Sequence, residues 1–295
     1  MRNFIFILVV FFIVKSNVYG NRNAFTSPSC FSMGGAGSLF LSANTQIKNP
    51  AVFNKSRSIT TTIIKYPALI SSQSLNLNFP LDDIVFSSSF KHISYGVFKG
   101  YNENGEDIGS YRSNETWVDG HLSKAMNLYP IFIGSSVRMK SANFSALNIK
   151  TFSTSIGAIG YFKNKNNAIG FFVNQVGLKI VNQQLSYNNP TYIFGGSKKL
   201  NYLPAIIYLD FLIEKKYKTE VFMGACFSLN KSLKILVGSS NRKIDQNTSQ
   251  NLFRSILGGT GFGFIYDFNQ VLVQYGFYYY GVGVRVNGLS IGIRF

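Results

Sequence analysis

The chain has 295 residues, of which 46% are hydrophobic, 16% aromatic and only 14% charged, with a formal charge of +17. A soluble domain carries about 25% charged residues, so this surface is unusually poor in charge; 27 Gly against 7 Pro suit many strands and argue against a helical bundle. The basic residues are scattered through loop-like stretches (162–167, 213–218, 241–247) with no basic helix or aromatic–basic platform, which excludes nucleic acid as a partner and leaves lipid headgroups or no specific anion.

At the N-terminus Arg2 precedes an apolar run from Phe4 to Val14, followed by "NVYG" (Asn17–Gly20). A positive start, a short apolar core and compact residues at the cut describe a secretory signal peptide. With Val18 and Gly20 in the −3 and −1 places, residues 1–20 are expected to be removed. The run is shorter than the ~20 residues a spanning helix needs. No Cys follows the cut, so a lipid-modified N-terminus is not expected. Next comes "SMGGAGSLFLSANTQIKNPAVF" (Ser32–Phe53). Its glycines permit tight backbone packing, and Asn49-Pro50 imposes a turn before the first strand. Residues 21–56 are therefore read as one N-terminal segment and 57–295 as a second, strand-rich unit.

From residue 57 onward the apolar residues alternate with small or polar ones, the period of a strand. The reading gives strands at 57–66, 73–80, 83–90, 92–101, 115–126, 130–140, 152–162, 167–176, 204–213, 219–229, 232–240, 254–267, 270–280 and 285–295. In 130–140, Ile131, Ile133, Val137 and Met139 oppose Gly134, Ser136, Arg138 and Lys140. In 256–268, Phe262, Phe264, Tyr266 and Phe268 oppose Gly259, Gly261, Gly263 and Ile265. One face is greasy and often aromatic; the other repeatedly carries Gly, which weakens an ordinary strand interior. A barrel in a membrane explains both faces, with lipid outside and a lumen inside. The fold class is thus all-β, an antiparallel transmembrane β-barrel of about 14 strands, with 12 as the alternative. Tight links at 229–232 and 267–270 and a long one at 239–254 fit short periplasmic turns and long outer loops. Residues 177–202 do not fit: they form a long stretch on the side where turns should be short, and read as a lumen insert, a hidden hairpin or a miscount.

Chemistry along the chain is sparse. Only His92 and His121 occur and no Cys pair has metal-ligand spacing, so no metal, cofactor or catalytic residue is assigned. "DGHLS" puts Asp119, His121 and Ser123 on one face of a strand. A nucleophile and base need an oxyanion hole and geometry that spacing cannot supply, and a polar lumen stripe is the plainer reading. "GGTGFG" (Gly258–Gly263) lacks the following Lys and helix of a phosphate loop and alternates as a strand. Trp117, with Tyr111 and Tyr129, suits either an interfacial aromatic girdle or packing. Cys30 and Cys226 are expected as two lone thiols or, alternatively, one bridge.

The last residues, "GLSIGIRF", place Leu289, Ile291, Ile293 and Phe295 on one face. A final strand ending in Phe resembles the C-terminal assembly signal of bacterial outer-membrane barrels, with Ser290 where a Gly is usual. That resemblance implies barrel-assembly machinery and outer-membrane lipids as partners, and the outer membrane as the location.

Met33, Gly34, Gly35, Ala36 and Gly37, then Asn49, Pro50 and Ala51, resemble the start of the FadL-like barrel superfamily, which includes long-chain fatty-acid transporters and the PorV and PorQ proteins of type IX secretion. The resemblance implies that this motif forms a small hatch inside the lumen. The acidic residue common in the spacer is missing, which here reads Ser42-Ala43-Asn44. In length, and in the style of Lys91–Tyr111, the chain is nearest to PorQ-type proteins. The resemblance implies a non-catalytic barrel that assists type IX secretion or surface attachment, with secretion components and cargo as partners. The alternative is FadL-like transport of hydrophobic small molecules such as fatty acids. Inward faces rich in Gly, Ser, Gln and Arg favour the first, because a transporter should show a continuous apolar pocket behind the hatch.

Overall fold

The computed structural model describes residues 26–40, 48–101, 104–126, 130–145, 147–162, 167–214, 219–241, 258–279 and 285–295. The expected signal peptide, residues 1–20, lies outside them. One short helix, α1 (Pro28–Ser32), is followed by β1 (Ser58–Lys65), β2 (Ser71–Leu81), β3 (Ile84–Tyr101), β4 (Asp107–Ala125), β5 (Ile131–Phe144), β6 (Leu147–Phe162), β7 (Asn167–Val181), β8 (Gln184–Tyr187), β9 (Thr191–Lys199), β10 (Ala205–Glu214), β11 (Glu220–Ser228), β12 (Leu233–Ser240), β13 (Thr260–Phe268), β14 (Val271–Tyr279) and β15 (Arg285–Arg294). The strands pair antiparallel in chain order, except that β8 and β9 both pair with β7, and β15 returns to β1 from Ser58↔Arg294 to Lys65↔Asn287. The sheet is closed, which removes the unpaired edges that an open sheet would present.

Fourteen strand positions make the wall, because β8 and β9 share one. β8 pairs with the far part of β7 (Leu178↔Tyr187 to Val181↔Gln184), and β9 with its near part (Asn167↔Lys198 to Asn174↔Thr191). Between them Pro190 has no N–H for the ladder, and Asn188 N donates to Gly177 O at 2.9 Å. This accounts for residues 177–202: they hold the end of β7, a turn at Asn182–Gln183, and the strand that the alternation missed. The total of fourteen is nevertheless the expected one, because β3 is a single strand where two were read, at 83–90 and 92–101. Lys91-His92 interrupts the hydrophobic pattern, but Lys91 is an inward, buried residue of a continuous strand. β3 kinks only at the register shift between Ser94 and Gly96. The two errors cancel in the count but reverse the side assigned to the turns between them. β1 begins and β15 stops at the end that carries the short turns at 82–83, 229–232 and 269–270.

The burial pattern follows the predicted alternation. On β13, Phe262, Phe264, Tyr266 and Phe268 are exposed while Gly261, Gly263 and Ile265 are buried. On β15, Leu289, Ile291 and Ile293 face out, as does the terminal Phe295, while Gly288, Ser290 and Gly292 face in. On β5, Ile131, Ile133, Val137 and Met139 face out. A closed wall with paired backbone and an apolar exterior is what hydrocarbon requires. The chain is a transmembrane barrel.

Part of its interior is filled by described residues of the N-terminal segment. Phe31, Met33, Ala36, Leu39, Phe40, Ala51 and Val52 of the N-terminal segment form one buried cluster with inward residues of the wall. The inward glycines are where this segment touches the wall. A side chain at Gly224 or Gly238 would strike Met33, one at Gly261 or Gly288 would strike Phe31, and one at Gly134 would strike Pro50. The glycine stripe that is unfavourable for a free strand therefore makes room for a second layer of backbone inside the barrel.

Candidate functional site in the lumen

The N-terminal segment is built to lie flat against the wall. Ser27 caps α1, accepting from Cys30 N at 3.3 Å, and Pro28 at the first turn costs no hydrogen bond. Gly34 (φ +66°) and Gly37 (φ +114°) hold left-handed backbone that L-residues seldom adopt. Gly37 has a further role: its N–H and that of Ser38 both donate to Asp210 Oδ2, at 2.9 and 2.8 Å, and Ser38 Oγ donates to Asp210 Oδ1 at 2.6 Å. Asp210, only 2% exposed, faces in from β10 opposite Gly195, whose missing side chain leaves room for Ser38. Further along, Asn49 Oδ1 accepts Ala51 N at 2.9 Å and its carbonyl accepts Val52 N at 3.1 Å, so Asn49-Pro50 makes the expected turn. Asn78 then donates to Asn54 O and Ser56 O, guiding the chain into β1. All eight motif residues lie among the described residues, and Met33, Ala36, Asn49, Pro50 and Ala51 are buried against inward-facing positions of the wall.

A polar ladder covers the lumen face of β3, β4 and β5. Arg138 Nε and Nη2 donate to Asp119 at 2.5 and 2.9 Å, and Ser89 adds a third bond at 3.1 Å. Lys140 pairs with Glu115, to which Tyr95 also donates at 2.9 Å. Lys91, 1% exposed, donates to Thr26 O at 3.3 Å. Between these groups stands Trp117, with the charged ends of Lys91, Arg138 and Lys140 at 5.1, 5.3 and 5.8 Å from its ring centre, distances at which a cation is held by the ring face. Trp117 therefore belongs to the lumen and not to an interfacial girdle. Tyr111 stacks on Phe98 in the hairpin beyond the barrel rim, and Tyr129 lies outside the described residues.

Asp119, His121 and Ser123 do share the inward face, as their spacing requires, and all three are buried. No relay links them: the Asp119 carboxylate is occupied by Arg138 and Ser89, and neither nitrogen of His121 has a hydrogen-bond partner. They form a polar stripe. Gly258–Gly263 runs into β13 and makes no phosphate loop. Among the described residues no cluster could hold a metal ion. Cys30 and Cys226 are both buried and are not bridged to each other.

Opposite the polar ladder lies the feature that sequence reading missed. Phe172, Ile193 and Leu212 meet in one row across β7, β9 and β10, since Ile193 is in register with both other residues. With Phe222 from β11 they belong to the buried cluster that includes Leu39 and Phe40. A cavity runs between the two faces. Phe172, Ile193, Leu212 and Phe222 line one side, and His121, Ser136, Arg138 and Ser155 the other; Ser38 and Asp210 sit at its edge. At about 40 Å³ it has room for a few waters and not for a hydrocarbon. The row could not be assembled from sequence because β9 was unrecognised, and Phe171-Phe172 and Ile206-Ile207 give no clear phase.

No family model matches this chain, and no curated protein matches it by sequence. Its fold is that of known channels. The P. putida toluene transporter TodX aligns over 92% of this chain and 99% of its own, with TM-score 0.61 and 14% identity. The monoaromatic hydrocarbon channel CymD aligns over 94% of this chain and 99% of its own, with TM-score 0.60 and 11% identity. A TodX deltaS2 mutant gives TM-score 0.57. At such identities the likeness is one of fold alone. It lends no support to the closer resemblance to PorQ and PorV.

Proposed function

We propose that this protein is a FadL-like channel of the outer membrane that passes small hydrophobic molecules through its lumen, with residues 21–56 as the hatch and Leu289, Ile291, Ile293 and Phe295 as the assembly signal. The observation that carries the reading is the two-faced cavity behind the N-terminal segment. Phe172, Ile193, Leu212 and Phe222 supply an apolar lining of the kind a transporter needs and that the inward Gly, Ser, Gln and Arg argued against, around a cavity that is closed to a hydrocarbon in this conformation. The neighbours named above are hydrocarbon channels, which favours transport over a role in type IX secretion. The facing His121, Ser136 and Arg138 suit a molecule with an apolar body and a polar head, such as a fatty acid, since a buried polar group left without a partner is costly.

The test is uptake of labelled decanoate and labelled toluene by bacterial cells that lack their own channels of this kind. Expression of the protein should raise uptake of at least one of them. Phe172→Asp, which puts a charge into the apolar row, should abolish the gain while the barrel still folds. Uptake no higher than in cells carrying an empty vector, with the barrel assembled, would end this reading.

A further inference from the structure

At about 40 Å³ the cavity cannot admit a hydrophobic molecule unless part of its lining moves, and Ser38 of the N-terminal segment belongs to that lining. What holds that segment in place is unevenly distributed. Residues 28–36 lie on the wall mainly through close packing against glycines, as Phe31 does against Gly288 and Met33 against Gly224. Residues 49–51 sit likewise against Gly134 and Gly157. Between them, the polar contacts from the wall to residues 33–40 among the described residues converge on one side chain, Asp210. Two successive N–H groups, turned the same way by the positive φ of Gly37, form an anion-binding concavity, and the wall supplies its anion. The Ser38 hydroxyl adds a third bond. Hydrogen bonds to an ionised acceptor are the strong ones, and this carboxylate is shielded from water. Asp210 also lines the cavity, so a molecule entering there meets the same group that holds the segment.

We propose that Asp210 is the catch of the lumen: the 37–40 stretch stays on β10 through this carboxylate, and it leaves β10 first when the cavity opens. What the opening serves rests on the transport reading, but the catch itself can be tested without any transported molecule. A thiol is introduced by Leu39→Cys, at a buried position within the 37–40 stretch, with Cys30→Ala and Cys226→Ala removing the native thiols. Its rate of reaction with a maleimide is measured on the folded barrel in detergent, and folding is verified by the shift in gel mobility on boiling. Asp210→Ala should speed labelling on the order of a hundredfold, and Ser38→Ala about tenfold, the worth of one charge-assisted bond. Gly195→Ala attacks the catch from the other side, since its new methyl would lie 2.8 Å from Asp210 Oδ1 and closer still to Ser38 Oγ; it should also speed labelling. Labelling unchanged by all three substitutions in folded barrels would overturn the proposal.

Should these variants not fold, amide hydrogen exchange on the unsubstituted protein decides. Gly37 and Ser38 should be among the slowest amides of residues 26–40, and exchange at the rate of an open loop would overturn the proposal. Labelling that responds as expected in a protein that takes up neither decanoate nor toluene would uphold the catch and reject the transport reading.

Discussion

The packing of the N-terminal segment against wall glycines can be tested by adding one methyl group. Gly224 on β11 pairs with Gly238 on one side and Tyr208 on the other. A Cβ there would lie 2.6 Å from Met33 Cβ, 3.0 Å from Met33 O and 3.2 Å from Ala36 Cβ. Ordinary contact begins near 3.4 Å, so the segment or the strand has to move by about 0.8 Å, and backbone atoms cannot rotate away. Overpacking of this kind costs about 1–3 kcal/mol. Replacing a strand glycine also removes its entropic penalty of about 0.5–1 kcal/mol, so the comparison needs a control carrying the same gain. Gly196→Ala supplies it, because Gly196 sits in the neighbouring wall with nothing within 4 Å of its Cβ position. The intrinsic glycine contribution cancels between the two variants, and the difference of about 1–3 kcal/mol isolates the contact with the segment. Urea unfolding in phospholipid vesicles, followed by the fluorescence of Trp117, the single tryptophan, measures it. If Gly224→Ala proves as stable as Gly196→Ala, the segment does not lie against the wall as described.

Three further outcomes are expected. Arg138→Ala leaves the buried Asp119 carboxylate without its two-pronged partner and should cost about 3–5 kcal/mol in the same unfolding assay; adding Asp119→Asn should recover part of that loss, and no recovery would mean that the pair is not its source. Leu289→Arg, on the lipid face well inside β15, should destabilise the barrel by about 2–4 kcal/mol, and Phe268→Arg at the turn end of β13 by about 0–1 kcal/mol; equal losses would contradict the assigned membrane depth. Phe295 is largely exposed, with its ring 6.4 Å from that of Phe79 and its N–H on Arg57 O. Phe295→Ala should therefore change the unfolding free energy by no more than about 0.5 kcal/mol yet lower the amount of assembled barrel in cells several-fold. Unchanged assembly would remove the C-terminal signal from the account.

Much of this was legible in the sequence because a strand's side-chain period is two. The alternation in "GLSIGIRF" and in 256–268 fixes which residues meet lipid, whatever the neighbouring strands do, and the low charge with recurrent inward glycine fixes the kind of surroundings. The same logic put Asp119, His121 and Ser123 on one inward face. The spacing of the Gly-rich motif and Asn49-Pro50 likewise marked a segment apart from the strands. Pairing is a different matter. Whether Lys91 ends a strand or is tolerated inside one depends on Trp117 and Thr26, which lie 26 and 65 residues away, and whether 177–202 is a loop or a wall strand depends on the free edge of β7. The row of Phe172, Ile193 and Leu212 exists only once β9 is set between β7 and β10. Asp210 shows the limit most plainly. In sequence it is a lone acid in "IIYLDFLI", the kind of residue a hydrophobic strand should exclude. Only closure of the barrel brings Gly37 and Ser38, some 170 residues away, within hydrogen-bond reach, because a buried charge is stable only where other parts of the chain supply its partners.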